Sequence, residues 1–149
     1  HYFETFLEVY SRSDLALEAN YMYGYSLYMQ SPEFSLDQTP SYEAINVMQN
    51  FINQYPTSEF AKNAGSIVNE LELKLEKKEF ENAKLYYKLQ KYEAAIVTLE
   101  NFIKEFPGSA FQEEALFLSF HNNSFGNSHY CYFRFLHLYM NFYMQIRRK

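Results

Sequence analysis

The chain has 149 residues, of which 48% are hydrophobic and 21% charged; this excludes a disordered or collagen-like polypeptide and leaves one domain or a small array of repeats. Thirty aromatics (15 Tyr, 15 Phe, no Trp) stand against four Gly and four Pro, too few turn formers for a sandwich or barrel, so helices are favoured. A net charge of −5 supplies no field that would draw the chain to nucleic acid or an anionic membrane.

Cys131 is the single cysteine, which excludes an internal disulfide and a multi-cysteine metal site; it reads as a buried thiol. No run of 18 apolar residues could span a bilayer. No charged-then-apolar leader precedes His1, so any targeting signal is expected to have been removed or never to have existed. All 18 acids and nine bases lie in residues 1–114, whereas residues 115–149 hold four bases, three His, ten aromatics and no acid.

In chain order, the first feature is a motif with three copies. Phe6, Leu7, Tyr10, Ser13, Leu15 and Ala19 recur 45 positions later as Phe51, Ile52, Tyr55, Ser58, Phe60 and Ala64. They recur a further 51 positions on as Phe102, Ile103, Phe106, Ser109, Phe111 and Ala115. Pro56 and Pro107 match each other, with Ser11 in that place in the first copy. Each copy reads as an amphipathic helix closed by an aromatic and proline, a short Ser turn, and a new helix, because proline cannot continue the helix before it. Ser109 with Gln112 fits a capping box worth on the order of 1 kcal/mol.

Residues 31–41 carry Pro32 and Pro40 and read as a loop inserted into the first helical pair. A proline-free stretch over about 58–91 predicts one long helix of roughly 50 Å at 1.5 Å per residue, a rigid spine. Leu71, Leu75 and Glu79, with Leu73, Lys77 and Phe80, make its middle only partly apolar, as expected where it projects beyond the stack.

From Phe80 to Pro107 the sequence resembles the tetratricopeptide repeat, with its period of about 34 residues. Ala95, Leu99 and Phe102 would face inward on the second helix of the pair, with Tyr86 and Ala83 on the first. Ala44 takes the small position in the preceding copy and Gly24 the small position of that copy's first helix. The implied fold is all-α, a right-handed superhelix of tetratricopeptide-like helix-turn-helix repeats over residues 1–120.

The segments EANYMYGYSLYMQSPEFSLDQTPSYEAI, NFINQYPTSEF and NFIKEFPGSAF are similar to the BamD family, lipoproteins of the outer-membrane β-barrel assembly machinery, over about residues 3–120. The resemblance implies a non-enzymatic scaffold without cofactors on the periplasmic face of a bacterial outer membrane. Its implied partners are the barrel-bearing subunit, other lipoproteins of the machinery and unfolded outer-membrane clients. The family's lipidated N-terminal cysteine and first repeat helix have no match here, so a fragment is expected, with membrane contact only through an anchor outside this sequence. A different periplasmic repeat adaptor, for example in envelope division, is the alternative. From His121 the family pattern stops. For residues 121–149 three readings stay open: a shifted reading frame, a poorly ordered end, or a divergent capping helix from Tyr130 to Ile146.

Tyr21, Tyr25 and Tyr28 form one stripe on a first helix, and Phe80, Lys84, Tyr87 and Lys88 hold the corresponding places in the next pair. Such a stripe either packs between helices or lines a concave protein-binding groove, where tyrosine offers a large ring at low entropy cost. A clamp for a carboxylate terminus is disfavoured, because Tyr21 and Phe80, then Tyr25 and Lys84, stand where such clamps place Asn and Lys. His121, His129 and His137 recur every eight residues near Cys131, but that spacing is about 12 Å along a helix, too far for one metal ion. The run of Glu70, Glu72, Glu76, Glu79 and Glu81 with Lys74, Lys77 and Lys78 reads as a solvated helix face. No phosphate loop, nucleophile motif or HExxH is present, so no catalytic site is expected.

Overall fold

The computed structural model describes residues 1–125, with side chains through Ser119. They form six helices: α1 (Tyr2–Val9), α2 (Ala16–Gln30), α3 (Thr39–Gln54), α4 (Ala61–Lys88), α5 (Tyr92–Glu105) and α6 (Gln112–Phe125). The fold is all-α, a tetratricopeptide-like helical repeat fold, with no strand among the described residues. His129, Cys131, His137 and the expected Tyr130–Ile146 helix lie outside the described residues. At His121, where the repeat pattern was expected to stop, α6 continues to Phe125. Two compact units divide the chain, His1–Leu75 and the part from Glu76 onward, so α4 contributes its first half to one and its second half to the other.

The three motif copies share one hydrogen-bonded turn. Tyr10, Tyr55 and Phe106 N–H donate to the carbonyls of Phe6, Phe51 and Phe102 at 2.8, 2.8 and 2.9 Å, and Ser13, Ser58 and Ser109 N–H donate to the backbone carbonyls of Tyr10, Tyr55 and Phe106. The serine hydroxyl then accepts from the N–H two residues on, Leu15 at 3.3 Å, Phe60 at 3.1 Å and Phe111 at 3.0 Å. This is the local turn that Ser favours over helix continuation. The capping box expected of Ser109 and Gln112 is therefore displaced: Gln112 Oε1 accepts from Gly108 N–H at 2.8 Å instead. Gly108 sits at φ +95°, where a Cβ would be strained.

α3 begins at Thr39 with Pro40 in its first turn, where a missing N–H costs nothing, so the inserted loop is shorter than its prolines implied. α4 ends by a Schellman arrangement: Lys91 N–H reaches back to the Tyr86 carbonyl and Gln90 N–H to the Tyr87 carbonyl, both at 3.0 Å. Gln90 takes the left-handed conformation at φ 57° that usually falls to glycine.

In the first unit Ala44, Met48 and Phe51 of α3 pack against Ala64, Ile67, Val68 and Leu71 of α4, with Leu17, Tyr21, Leu27 and Tyr28 of α2 closing the cluster. Ideal Cβ placement at Gly24 falls 3.0 Å from Met48 Sδ; α2 and α3 cross here closely enough that a side chain would press on Met48. In the second unit Phe80 and Ala83 of α4 meet Leu99, Phe102 and Ile103 of α5 and Ala115 and Leu116 of α6.

The middle of α4 does not project from the packing as expected. Leu71, Leu75 and Phe80 are all buried, and of the apolar residues there only Leu73 is exposed. Tyr86, placed with Ala83 on the first helix of its pair, is exposed. Ala83 and Tyr86 stand three residues apart on α4, but only Ala83 belongs to the buried cluster.

Candidate functional site

The residues singled out as a groove fall into two constellations, one in each unit. In the first, α2 carries Tyr21, Tyr25 and Tyr28 one turn apart. Their rings form a ladder: Tyr21 stacks on Tyr25 at 6.1 Å and Tyr25 tilts against Tyr28 at 5.8 Å. The ladder is fixed at both ends. Tyr21 is stacked on Phe60 at 4.7 Å and tilted on Phe51 at 5.7 Å; Tyr28 donates its phenol to both carboxylate oxygens of Glu70 at 2.9 Å. Tyr25, 36% exposed, is the member that solvent reaches most.

These environments act on the phenols. Burial, then the neighbouring Tyr25, pushes Tyr21 above its ordinary pKa. For Tyr28 the first cause is the hydrogen bond to Glu70, reinforced by burial and by the repulsion a phenolate would feel from that carboxylate. Both groups are neutral donors at physiological pH.

In the second unit the equivalent α4 positions are Phe80, Lys84 and Tyr87. Phe80 is stacked on Phe111 at 5.0 Å and tilted on Phe102 at 5.5 Å, the same wedge that Tyr21 makes. Phe80 is thus a correction to the expected groove: at 1% exposure it holds the core and offers a partner no surface. Lys84 Nζ lies 3.0 Å from Glu114 and 3.6 Å from Glu81, and 5.1 Å from the centre of the Phe80 ring. The hydrogen bond to Glu114 raises its pKa, with burial opposing. Tyr87 meets Tyr92 edge-on at 6.3 Å, and Lys88 is exposed at the end of α4.

The mixed charge run on α4, expected to be merely solvated, supplies several of the cross-helix contacts. Besides Glu70, Lys74 Nζ donates to Ser31 Oγ at 2.7 Å, and Ser31 Oγ lies 2.7 Å from Ser41 Oγ. Ser41 donates to Gln38 Oε1 at 2.8 Å, and Gln38 Nε2 donates to the Glu33 and Leu36 carbonyls. This chain of bonds ties the inserted loop to α3 and α4 within the first unit. Glu76 accepts a hydrogen bond from Ser109, within the second unit. Sequence periodicity placed Glu70 and Lys74 on a helix but gave no sign of their partners, and Glu114 was not singled out at all. Ser31 and Ser41 bracketing a two-proline loop were the available signal.

Among the described residues no helix is long and apolar enough to cross a membrane. The family model YfiO, described as an outer membrane lipoprotein, matches residues 1–127, past His121. No curated protein matches the chain.

Proposed function

Because the chain belongs to the YfiO family of outer-membrane lipoproteins, which is BamD-like, we propose that it is a non-enzymatic protein-binding scaffold at the periplasmic face of the outer membrane. There it helps insert and fold β-barrel proteins. Its partners are the barrel-bearing subunit, other lipoproteins of the assembly machinery, and unfolded outer-membrane clients. The observation that carries this reading is the tyrosine ladder of α2. Tyr21 anchors it in the core and Glu70 holds Tyr28, so Tyr25 presents its ring already ordered. An aromatic-rich client strand would gain ring contacts there without the side-chain entropy cost that a mobile tyrosine would exact. In the second unit Tyr87 and Lys88 take the corresponding role, while Lys84 is engaged by Glu114.

The test is a pull-down from detergent-solubilised outer membranes with the full chain and with a Tyr25→Ala/Tyr28→Ala variant. The parent should recover the barrel-bearing subunit and the variant much less, at unchanged helicity by circular dichroism. Equal recovery by both would remove the ladder from the interface. A folded parent that recovers no assembly subunit would overturn the partner assignment.

A further inference from the structure

The tether that fixes the tyrosine ladder leaves a charge uncompensated. Glu70 accepts the Tyr28 phenol on both carboxylate oxygens at 2.9 Å, and a phenol is a neutral donor. Lys74 stands one turn on, where an ordinary helix pair would form, but its Nζ lies 2.7 Å from Ser31 Oγ instead. Glu70 makes no ion pair among the described residues, and it is exposed. Each carboxylate oxygen has two acceptor sites, so a further donor can approach without displacing Tyr28. The result is an ordered anion at the surface whose position is fixed and whose charge is not met.

The rings beside it call for the same complement. Tyr25 lies 5.8 Å from Tyr28, and no cation covers its ring among the described residues. An aromatic face attracts a cation, and a planar guanidinium can lie on a ring while its N–H groups reach a carboxylate. One turn beyond Tyr25 on the same face of α2, Met29 is 65% exposed, a thioether suited to an aromatic neighbour. Four helical residues advance about 6 Å, close to the roughly 6.6 Å between successive side chains on one face of a strand. The first unit as a whole, with ten acidic residues against three basic and a net charge of −7, favours a cationic occupant.

We infer that Tyr25 and Glu70 form a seat for an arginine of the bound client segment, which runs extended along α2 and lays an aromatic side chain, two residues from that arginine, on Met29. The guanidinium lies on the Tyr25 ring and donates to Glu70, while Tyr28 holds the carboxylate in place. The seat lies wholly within the first unit. It rests on the reading of the ladder as a binding surface and adds a charge requirement to it.

The probe is a labelled peptide, Tyr-Thr-Tyr-Gln-Arg-Gln-Phe-Thr-Tyr, which alternates as a strand does, beside the same peptide with citrulline, the neutral isostere of arginine, at its centre. Each is titrated with the full chain at low salt and followed by fluorescence anisotropy. The arginine peptide should bind the parent about tenfold more tightly than the citrulline peptide. Glu70→Gln should erase that preference by weakening the arginine peptide alone. Glu72→Gln removes the same charge from another face of α4 and should preserve it, and Met29→Ala should weaken both peptides alike. The inference is overturned if neither peptide binds saturably, if both bind the parent equally, if Glu70→Gln keeps the preference, or if Glu72→Gln loses it. Equal binding of the two peptides, alongside reduced pull-down recovery by Tyr25→Ala/Tyr28→Ala, would remove the arginine seat and leave the ladder as the interface. The preference, alongside a parent that recovers no assembly subunit, would sustain the seat and remove the partner assignment alone.

Discussion

The two units solve the same packing problem with different side chains. In the first, the wedge is a tyrosine that stays partly exposed, its small neighbour is glycine, and the tether to the helix after next is a phenol on a carboxylate. In the second, the wedge is a fully buried phenylalanine, its small neighbour is alanine, and the tether is an ammonium on a carboxylate. The partners correspond between them: the aromatics Phe51 with Phe102 and Phe60 with Phe111, and the aliphatic Met48 with Leu99. What changes is how much of the first helix remains available. Phe80 and Lys84 are consumed by packing and pairing, whereas Tyr21 passes its order outward to Tyr25. On the proposed function, the first unit would offer the ordered ring of Tyr25 to a partner and the second only Tyr87 and Lys88.

The largest expected effect separates the wedges directly. Phe80→Ala removes a ring that is 1% exposed and should cost about 3–5 kcal/mol. Tyr21→Ala removes one that is partly exposed and should cost less, since the transfer contribution scales with area withdrawn from water. Chemical denaturation followed by circular dichroism measures both. If Tyr21→Ala proves as costly as Phe80→Ala, the two wedges are energetically equivalent and the first unit is not the more open of the two.

The small position gives an intermediate effect. Alanine is favoured over glycine inside a helix by about 1 kcal/mol, yet Gly24→Ala brings a Cβ to 3.0 Å from Met48 Sδ and 3.2 Å from its Cγ and Cε. Met48 is completely buried and must shift. Gly24→Ala with Met48→Leu recreates the Ala83–Leu99 pair of the second unit and should gain about 1 kcal/mol, with the single Gly24→Ala gaining less. Equal thermal shifts for the single and double variants would show that Met48 does not dictate the glycine.

Much of this was legible in the sequence because a repeated motif multiplies weak signals. The offsets that align Phe51 with Phe102 also align every turn bond of the three copies, and the spacing from Tyr21 to Gly24 and from Phe80 to Ala83 correctly identified equivalent positions. The direction in which those positions face was not legible. Tyr21 and Phe80 are covered by Phe60 and Phe111, which arrive from the turns leading into the helix after next, and no local period reports that. The charge run on α4 misled for the same reason: Glu70 and Lys74 look solvated by spacing, but a tyrosine from α2 and a serine from the inserted loop come to meet them. The capping box failed on a finer scale. Ser109 and Gln112 are both engaged in the turn, but each bonds to the N–H of a residue other than the one the motif assigns.

The smallest effects, a few tenths of a kcal/mol each, distinguish the two tethers by pH and salt. Tyr28 and Lys84 both have pKa values raised by their carboxylate hydrogen bonds. A raised pKa contributes stability that is complete below the unfolded value, about 10 for tyrosine and about 10.4 for lysine, and is lost as pH rises through the folded value. Both tethers should therefore hold at neutral pH and fail in alkali: Tyr28 because a phenolate repels Glu70, Lys84 because a neutral amine no longer attracts Glu114. Glu70→Gln should move one phenol back toward its ordinary titration, read by phenolate absorbance, and Glu114→Gln should do the same for Lys84, read by NMR of its side chain. Salt separates them. At about 1 M the screening length falls to about 3 Å, comparable to the Lys84–Glu114 separation of 3.0 Å, so the stability difference between Glu114→Gln and the parent should shrink. That of Tyr28→Phe should persist, because a hydrogen bond from a neutral donor depends less on long-range attraction. If salt erases both differences alike, the Tyr28–Glu70 contact is electrostatic in the same sense as the lysine pair, and the two units differ in their wedges alone.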